Sequence, residues 1–139
     1  MAADPVSAMA THVDCASMPV GVVVQDADGT IIWSNPAARS VLGLSLDEIT
    51  GRTSSDPRWQ AIRPDGSPFP GDEHPAMEAL RTGRSVESVV MGVRHAIENR
   101  TRWIQVSATP VFRDGEARPG RVVATFLDVS GCRQAEDEV

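Results

Sequence analysis

VVVQDADGTIIWSNPAARSVLGLSLDEITGR, Val22 to Arg52, changes rhythm several times. Val20–Gln25, which begins just before this stretch, and Thr30–Ser34 are short apolar runs that read as strands, and the Asp28-Gly29 pair between them suits a tight antiparallel hairpin. The second run stops at Asn35-Pro36, a helix start: the asparagine side chain accepts from an orphan N–H of the first turn. Proline at the first helical position loses no hydrogen bond and has its φ preset. Gly43 closes that short helix. Ser45 and Glu48 then have capping-box spacing, with Gly51 placed to take a left-handed conformation. The stretch therefore reads strand, tight turn, strand, then two short helices.

Upstream, Asp4-Pro5 is another capped start. Val6, Met9, Ala10 and Val13 recur at helical steps, which predicts an amphipathic helix over residues 1–16. Downstream, Asp56-Pro57 and His74-Pro75 open further helical pieces, the latter ending at Gly83, and "RPDGSPFPGDE" between them is too rich in proline and glycine to be regular. From Val86 the pattern is three strands, "VESVVMGV", "RTRWIQVSATPVF" and "GRVVATFLDV", whose linkers each hold an Asn or Gly able to take positive φ. Ile104, Val106 and Ala108 alternate with Trp103, Gln105, Ser107 and Thr109, so one face of the middle strand is apolar. Two strands, several short helices and three strands imply an α+β fold, an antiparallel sheet with helices packed on one face.

With 139 residues and 41% hydrophobic content the chain has about one domain's worth of core. No apolar run approaches the roughly 20 residues that span a bilayer, and no signal peptide opens the chain, so a cytoplasmic location away from the membrane is expected. The net charge is −6, and all thirteen basic residues are arginines scattered along the chain, which leaves no footprint for nucleic acid. Without lysine there is no amine for a Schiff base or a P-loop contact. Cys15 and Cys132 stand in none of the paired spacings of a zinc or redox site and read as inert thiols. No nucleophile elbow, His-Glu-x-x-His or phosphate loop is present, and Asp72-Glu73 lie where a helix N-terminus favours negative charge. An enzyme is not expected.

In this order and spacing the segments resemble a PAS domain, the sensory module of many signalling proteins, over about Ser17 to Ser130. Val22–Arg52 resembles the family's first hairpin, strand-ending Asn, small-residue helix and Leu-Gly exit. "RWIQVSATPVF" and "VVATFLDVS" resemble its last two strands, and "DPRWQAIRPDGSPFPGDEHPAMEALRTGRSV" is similar to a subgroup common in bacterial multidomain sensors. The resemblance implies a five-stranded antiparallel sheet. It further implies residues 17–130 as the domain proper, Asp128, Val129 and Ser130 as the signal exit, and 131–139 as the opening of a linker to an effector domain in a longer parent protein.

It also implies a cavity between helices and sheet. Residues placed to line it are Leu46 and Ile49, Trp59 and Ile62, Phe69, Met77 and Leu80, with Ile104, Val106 and Phe126 from the sheet. They either surround a small apolar ligand or meet one another as a solid core. Arg94 is a candidate for an acidic headgroup, or a solvated hairpin arginine. Flavin is not expected: the family's adduct cysteine is replaced in Gly51-Arg52-Thr53-Ser54, and the amides that hold the ring correspond to Ile104 and Phe126. Haem would need His74 as axial ligand, but a histidine just before Pro75 reads as one that caps the helix or bonds the loop. His12 and His95 read as solvated. As a second function, the stripe Val6, Met9 and Val13 together with Trp103, opposite in face to Ile104, suggests a homodimer interface.

Overall fold

Strand β1 (Gly21–Asp26) is turned back onto β2 (Ile31–Ser34) by a loop that its last residue ties: the Asp26 carboxylate accepts from the backbone N–H of Asp28 at 3.1 Å and of Thr30 at 3.2 Å. Gly29 has φ +91° at this turn, a conformation that L side chains rarely adopt. The computed structural model describes residues 19–131. The helix expected over 1–16, with Val6, Met9, His12 and Val13, lies outside the described residues, as do Cys15, Cys132 and the linker from 132 onward.

The abrupt stop at Asn35-Pro36 has a physical cause. Asn35 Oδ1 accepts from Ala38 N at 2.9 Å, which caps helix α1 (Pro36–Leu42), and from Val22 N at 2.9 Å, while Nδ2 donates to the Val20 carbonyl at 3.0 Å. One side chain thus starts the helix and anchors the first strand beneath it. Gly43, at φ +72°, ends α1. A reciprocal capping box then opens α2 (Leu46–Ile49), with Ser45 N donating to Glu48 Oε1 at 2.8 Å and Glu48 N to Ser45 Oγ at 3.1 Å. The segment from Asp56 holds only a 3-10 turn (Pro57–Trp59), and a second turn (Gly71–Glu73) leads into α3 (Pro75–Thr82).

β3 (Val86–Arg94), β4 (Thr101–Val111) and β5 (Arg121–Asp128) complete an antiparallel sheet of order β2-β1-β5-β4-β3. The last strand lies at the centre, with Val23 opposite Ala124 on one side and Val106 opposite Phe126 on the other. Ser88, at φ +60°, bulges β3, and its N–H is taken by Ser107 Oγ at 3.2 Å. The five-stranded α+β expectation is the observed fold.

The inner face carries the core: Val23, Met91, Val93, Ile104, Val106 and Phe126 are all buried beneath Leu42, Ile49 and Trp59 from the helical side. Each such side chain contributes about 1.5–3 kcal/mol when fully buried. A second cluster forms where α3 crosses the sheet, with Ala76 and Ala79 resting on Ala108 and Val122. Small residues on both sides let the helix approach closely. On the outer face Trp33, paired with Val24, remains 51% exposed.

His95 departs from expectation. Instead of being solvated it is 6% exposed, because the β3–β4 hairpin folds back on the end of α1. Its Nδ1 accepts from Ile97 N at 3.3 Å and Glu98 N at 3.0 Å, its Nε2 donates to the Ser40 carbonyl at 3.3 Å, and Ala96 N donates to the Leu42 carbonyl at 3.1 Å. The imidazole occupies the space that the missing side chain of Gly43 leaves open.

Candidate ligand cavity

Between the sheet and the helical layer lies a cavity of about 80 Å³. Its floor is the inner face of four strands: Val23 and Gln25 on β1, Val93 on β3, Ile104 on β4 and Phe126 on β5, joined by Ile31 from β2's start. Its roof is Leu42, Thr53, Ser54, Trp59, His74 and Pro75. Trp59 is fixed from both sides: its Nε1 donates to the Thr53 carbonyl at 2.8 Å and the Arg52 guanidinium lies 4.9 Å from its ring centroid. On the other side of this roof is a second hollow of about 200 Å³ that also reaches Phe69, Gln60 and Pro70. Ser54, Trp59 and His74 border both spaces.

His74, 7% exposed, bonds the loop rather than capping α3: its Nε2 lies 2.9 Å from the Phe69 carbonyl, and the Phe69 ring meets the imidazole edge-on at 4.8 Å. A carbonyl only accepts, so Nε2 carries the proton and Nδ1 is a bare acceptor. Burial, the largest influence, holds the imidazole below its ordinary value. The Phe69 carbonyl, Asp72 and Glu73 work the other way, and Arg63 reinforces the burial. Gln25, 4% exposed, donates from Nε2 to the Gly29 carbonyl at 2.6 Å and to Ser54 Oγ at 3.1 Å.

Of the side chains expected at the cavity, Trp59, Ile104, Val106 and Phe126 are on its wall. The others are elsewhere. Leu46, at 53% exposure, takes the solvent side of the single turn of α2, while Ile49 is fully buried in the surrounding core. Ile62 is held against β3 by paired backbone bonds to Gly92, both 2.9 Å, and Phe69 lies in the outer hollow. Met77 leans over the turn at Gly29, and Leu80 packs with the alanine cluster under α3. Arg94 is spent on its own hairpin, donating to Asn99 Oδ1 at 3.0 Å.

Gln25, Thr53 and Ser54 are wall residues that the pattern of the sequence does not single out. In Val22-Val23-Val24-Gln25 the valines are equally apolar, so alternation alone does not reveal that Val23 and Gln25 share the inner face. The amide two residues from Val23 is the available signal.

These residues do not fit a flavin. The cavity is far below the roughly 300–1,000 Å³ of pockets for drug-sized ligands, and Ile104 and Phe126 offer the ring's polar edge no partner. Nor does a space of this volume fit a haem, and His74, the candidate axial ligand, has its Nε2 bonded to the Phe69 carbonyl at 2.9 Å. Among the described residues, no group of three or more His, Cys, Asp or Glu could hold a metal ion.

The end of β5 and the two residues after it are clamped. Arg102 pairs with Asp128 at 3.0 Å and Glu98 at 2.6 Å, and Asp128 Oδ1 accepts from Ser130 N at 2.9 Å. Trp103 N donates to Ser130 Oγ at 2.9 Å, and Val129 N to the Trp103 carbonyl at 2.8 Å.

An antiparallel sheet whose last strand lies at its centre, with short helices closed over a cavity on one face, defines a class of α+β module. A family model described as "PAS fold" matches residues 15–134, and the protein belongs to that family. Among solved structures, the chain is similar to a PAS domain from Colwellia psychrerythraea, with 18% identity, 80% of this chain and 86% of that one covered, and a TM-score of 0.59. It is likewise similar to the PAS domain of nitrogen regulation protein NR(II) from Vibrio parahaemolyticus, with 17% identity, 88% and 95% coverage, and a TM-score of 0.57. The LOV domain of the blue-light activated histidine kinase EL346 from Erythrobacter litoralis matches at 20% identity, 81% and 98% coverage, and a TM-score of 0.62. At such identities the likeness speaks for the fold. No curated protein matches the chain. Among the described residues no helix is long and apolar enough to cross a membrane.

Proposed function

We propose that the chain is the sensory input module of a larger bacterial signalling protein, acting in the cytoplasm, in which a small, largely apolar molecule occupies the cavity and the change is relayed through Asp128-Val129-Ser130. The observation that carries this reading is the position of Phe126. It forms part of the cavity floor two residues before Asp128, on the central strand. Pressure on that ring is therefore felt by the strand that ends in the clamp with Arg102. A core without such a space would transmit nothing specific. The test is native mass spectrometry of the freshly purified chain beside its denatured mass. Extra mass that disappears on denaturation supports the reading. A clean apo mass that no small apolar compound alters counts against it.

Dimerisation is a second reading, favoured by the outer sheet face, where Trp33 is 51%, Val20 46% and Ile32 39% exposed. Trp103, half-buried on β4, belongs to the same outer side. Under this reading Val6, Met9 and Val13 contribute to the contact. Deleting residues 1–16 should then give a monomer or a precipitate, and a soluble truncation that keeps a dimer mass by light scattering would overturn it.

A further inference from the structure

The cavity wall holds two hydrogen-bond acceptors that the protein leaves unanswered. Gln25 Nε2 is oriented by the Gly29 carbonyl at 2.6 Å, which fixes the amide and leaves Oε1 as an acceptor with no donor from any described residue. His74 Nε2 is committed to the Phe69 carbonyl, and no cap or other bond engages Nδ1. Both residues are more than nine-tenths buried. Yet the only enclosed side-chain N or O atom without a partner among the described residues is Arg102 Nε, so Gln25 Oε1 and His74 Nδ1 each keep some open surface. Gln25 lines the cavity, and His74 lines both the cavity and the outer hollow, so the cavity is the open space common to the two residues.

We propose that the cavity selects small, mostly apolar molecules that present an N–H or O–H donor to Gln25 Oε1 and His74 Nδ1, and discriminates against isosteres that carry only an acceptor. This rests on the reading of the cavity as a ligand site. The chemistry follows from satisfaction of polar groups. A donor pairs with a lone pair that is otherwise poorly solvated, whereas a ligand acceptor sets lone pair against lone pair in an apolar setting. Burial keeps the imidazole neutral near pH 7, so Nδ1 remains an acceptor there. The Ser54 hydroxyl, which accepts from Gln25 Nε2, has one proton of its own to give, so a ligand with both functions uses both; the two fixed acceptors require the donor.

Size limits the ligand as well. At about 80 Å³ the space is smaller than the roughly 150 Å³ that admits benzene. The flexible Met91 on its wall is the side chain best able to yield. A five-membered ring is therefore a suitable probe.

The experiment compares pyrrole, which has one N–H donor and no lone pair to offer, with furan, the same ring with an oxygen acceptor. Each is titrated into the full 139-residue chain, with binding followed by amide shifts and by the 15N signal of His74 Nδ1. The expected result is that pyrrole binds at least about tenfold tighter than furan and moves the Nδ1 resonance in the direction of an accepted hydrogen bond. Replacing one of the two acceptors in Gln25→Met should lower the pyrrole to furan ratio while His74 Nδ1 still takes the single N–H, and an unchanged ratio would overturn the part assigned to Gln25. If that variant does not fold, the two-ligand comparison on the unmodified chain decides alone. Equal binding of both rings at the cavity would overturn the donor selectivity while leaving the ligand site standing. Absence of binding by either ring up to its solubility limit would overturn the ligand-site reading and this inference with it.

Discussion

Gly43→Ala tests how the β3–β4 hairpin is docked. Gly43 combines φ +72° with a Cβ position that would lie 2.6 Å from His95 Nδ1 and 2.8 Å from Nε2, so both backbone and packing resist a side chain. The left-handed conformation costs an L residue about 1–2 kcal/mol. Displacing the imidazole also sacrifices its bonds to Ser40, Ile97 and Glu98, each worth about 0.5–1.5 kcal/mol. Together these give a loss of about 2.5–6.5 kcal/mol, a large part of the roughly 5–15 kcal/mol that holds a domain folded. Urea unfolding followed by circular dichroism measures it. Gly43→Asn separates the two causes, because asparagine tolerates positive φ but still carries a Cβ; it should cost nearly as much as alanine if the ring is the obstacle. In Gly43→Ala combined with His95→Ala the clash is gone. The double variant should therefore be about 2 kcal/mol more stable than the sum of the singles implies. Additivity within about 0.5 kcal/mol, or full rescue by asparagine, would refute the argument.

Two further predictions concern pH. His74 is held below its ordinary value of 6.5 in the fold, so the unfolded chain takes up the proton first. Stability is then full above about 6.5, declines as pH falls, and levels off below the folded value. His74→Gln should lose less between pH 7.5 and 5.5 by urea midpoint, and an equal loss would count against it. Asp56 is lowered to about 2 from 3.8 by the Arg58 guanidinium, which it meets at 3.0 and 2.7 Å. Its contribution is present above 3.8 and lost as pH falls through about 2. Because Arg58 is 67% exposed, screening reduces that contribution to about 1 kcal/mol, which Asp56→Asn should remove at pH 7 and which an acid titration of the wild type should reproduce. At the exit, Asp128→Ala leaves Arg102 facing only Glu98 and deprives Ser130 N of its acceptor, for a loss of about 1–3 kcal/mol; a change below about 0.5 kcal/mol in thermal unfolding would show the clamp to be idle.

The legible part of the sequence is local. Asn35-Pro36, the Ser45–Glu48 box, and the glycines at 29, 43 and 83 announce their elements because capping and positive φ are decided within a few residues. The alternation of Ile104, Val106 and Ala108 likewise marks the buried face of β4, since side chains along a strand point to opposite sides in turn. Contacts between distant segments are less accessible. Leu46 and Ile49 are alike as letters, and only the packing of α2 in the folded chain leaves one to solvent and the other in the core. His95 reads as a loop residue because nothing near it in sequence mentions Gly43 or Ser40, whose surfaces bury it. Gln25 is hidden among valines. Its role as a cavity acceptor depends on Gly29 and Ser54 consuming its amide protons, and on His74 arriving from the far side of the chain. The elements and their succession are thus written in the order of the residues, because short-range backbone chemistry settles them. Which polar atoms line the cavity, and which of those stay unpaired, is a property of the closed chain, because their partners meet only when distant segments have packed together.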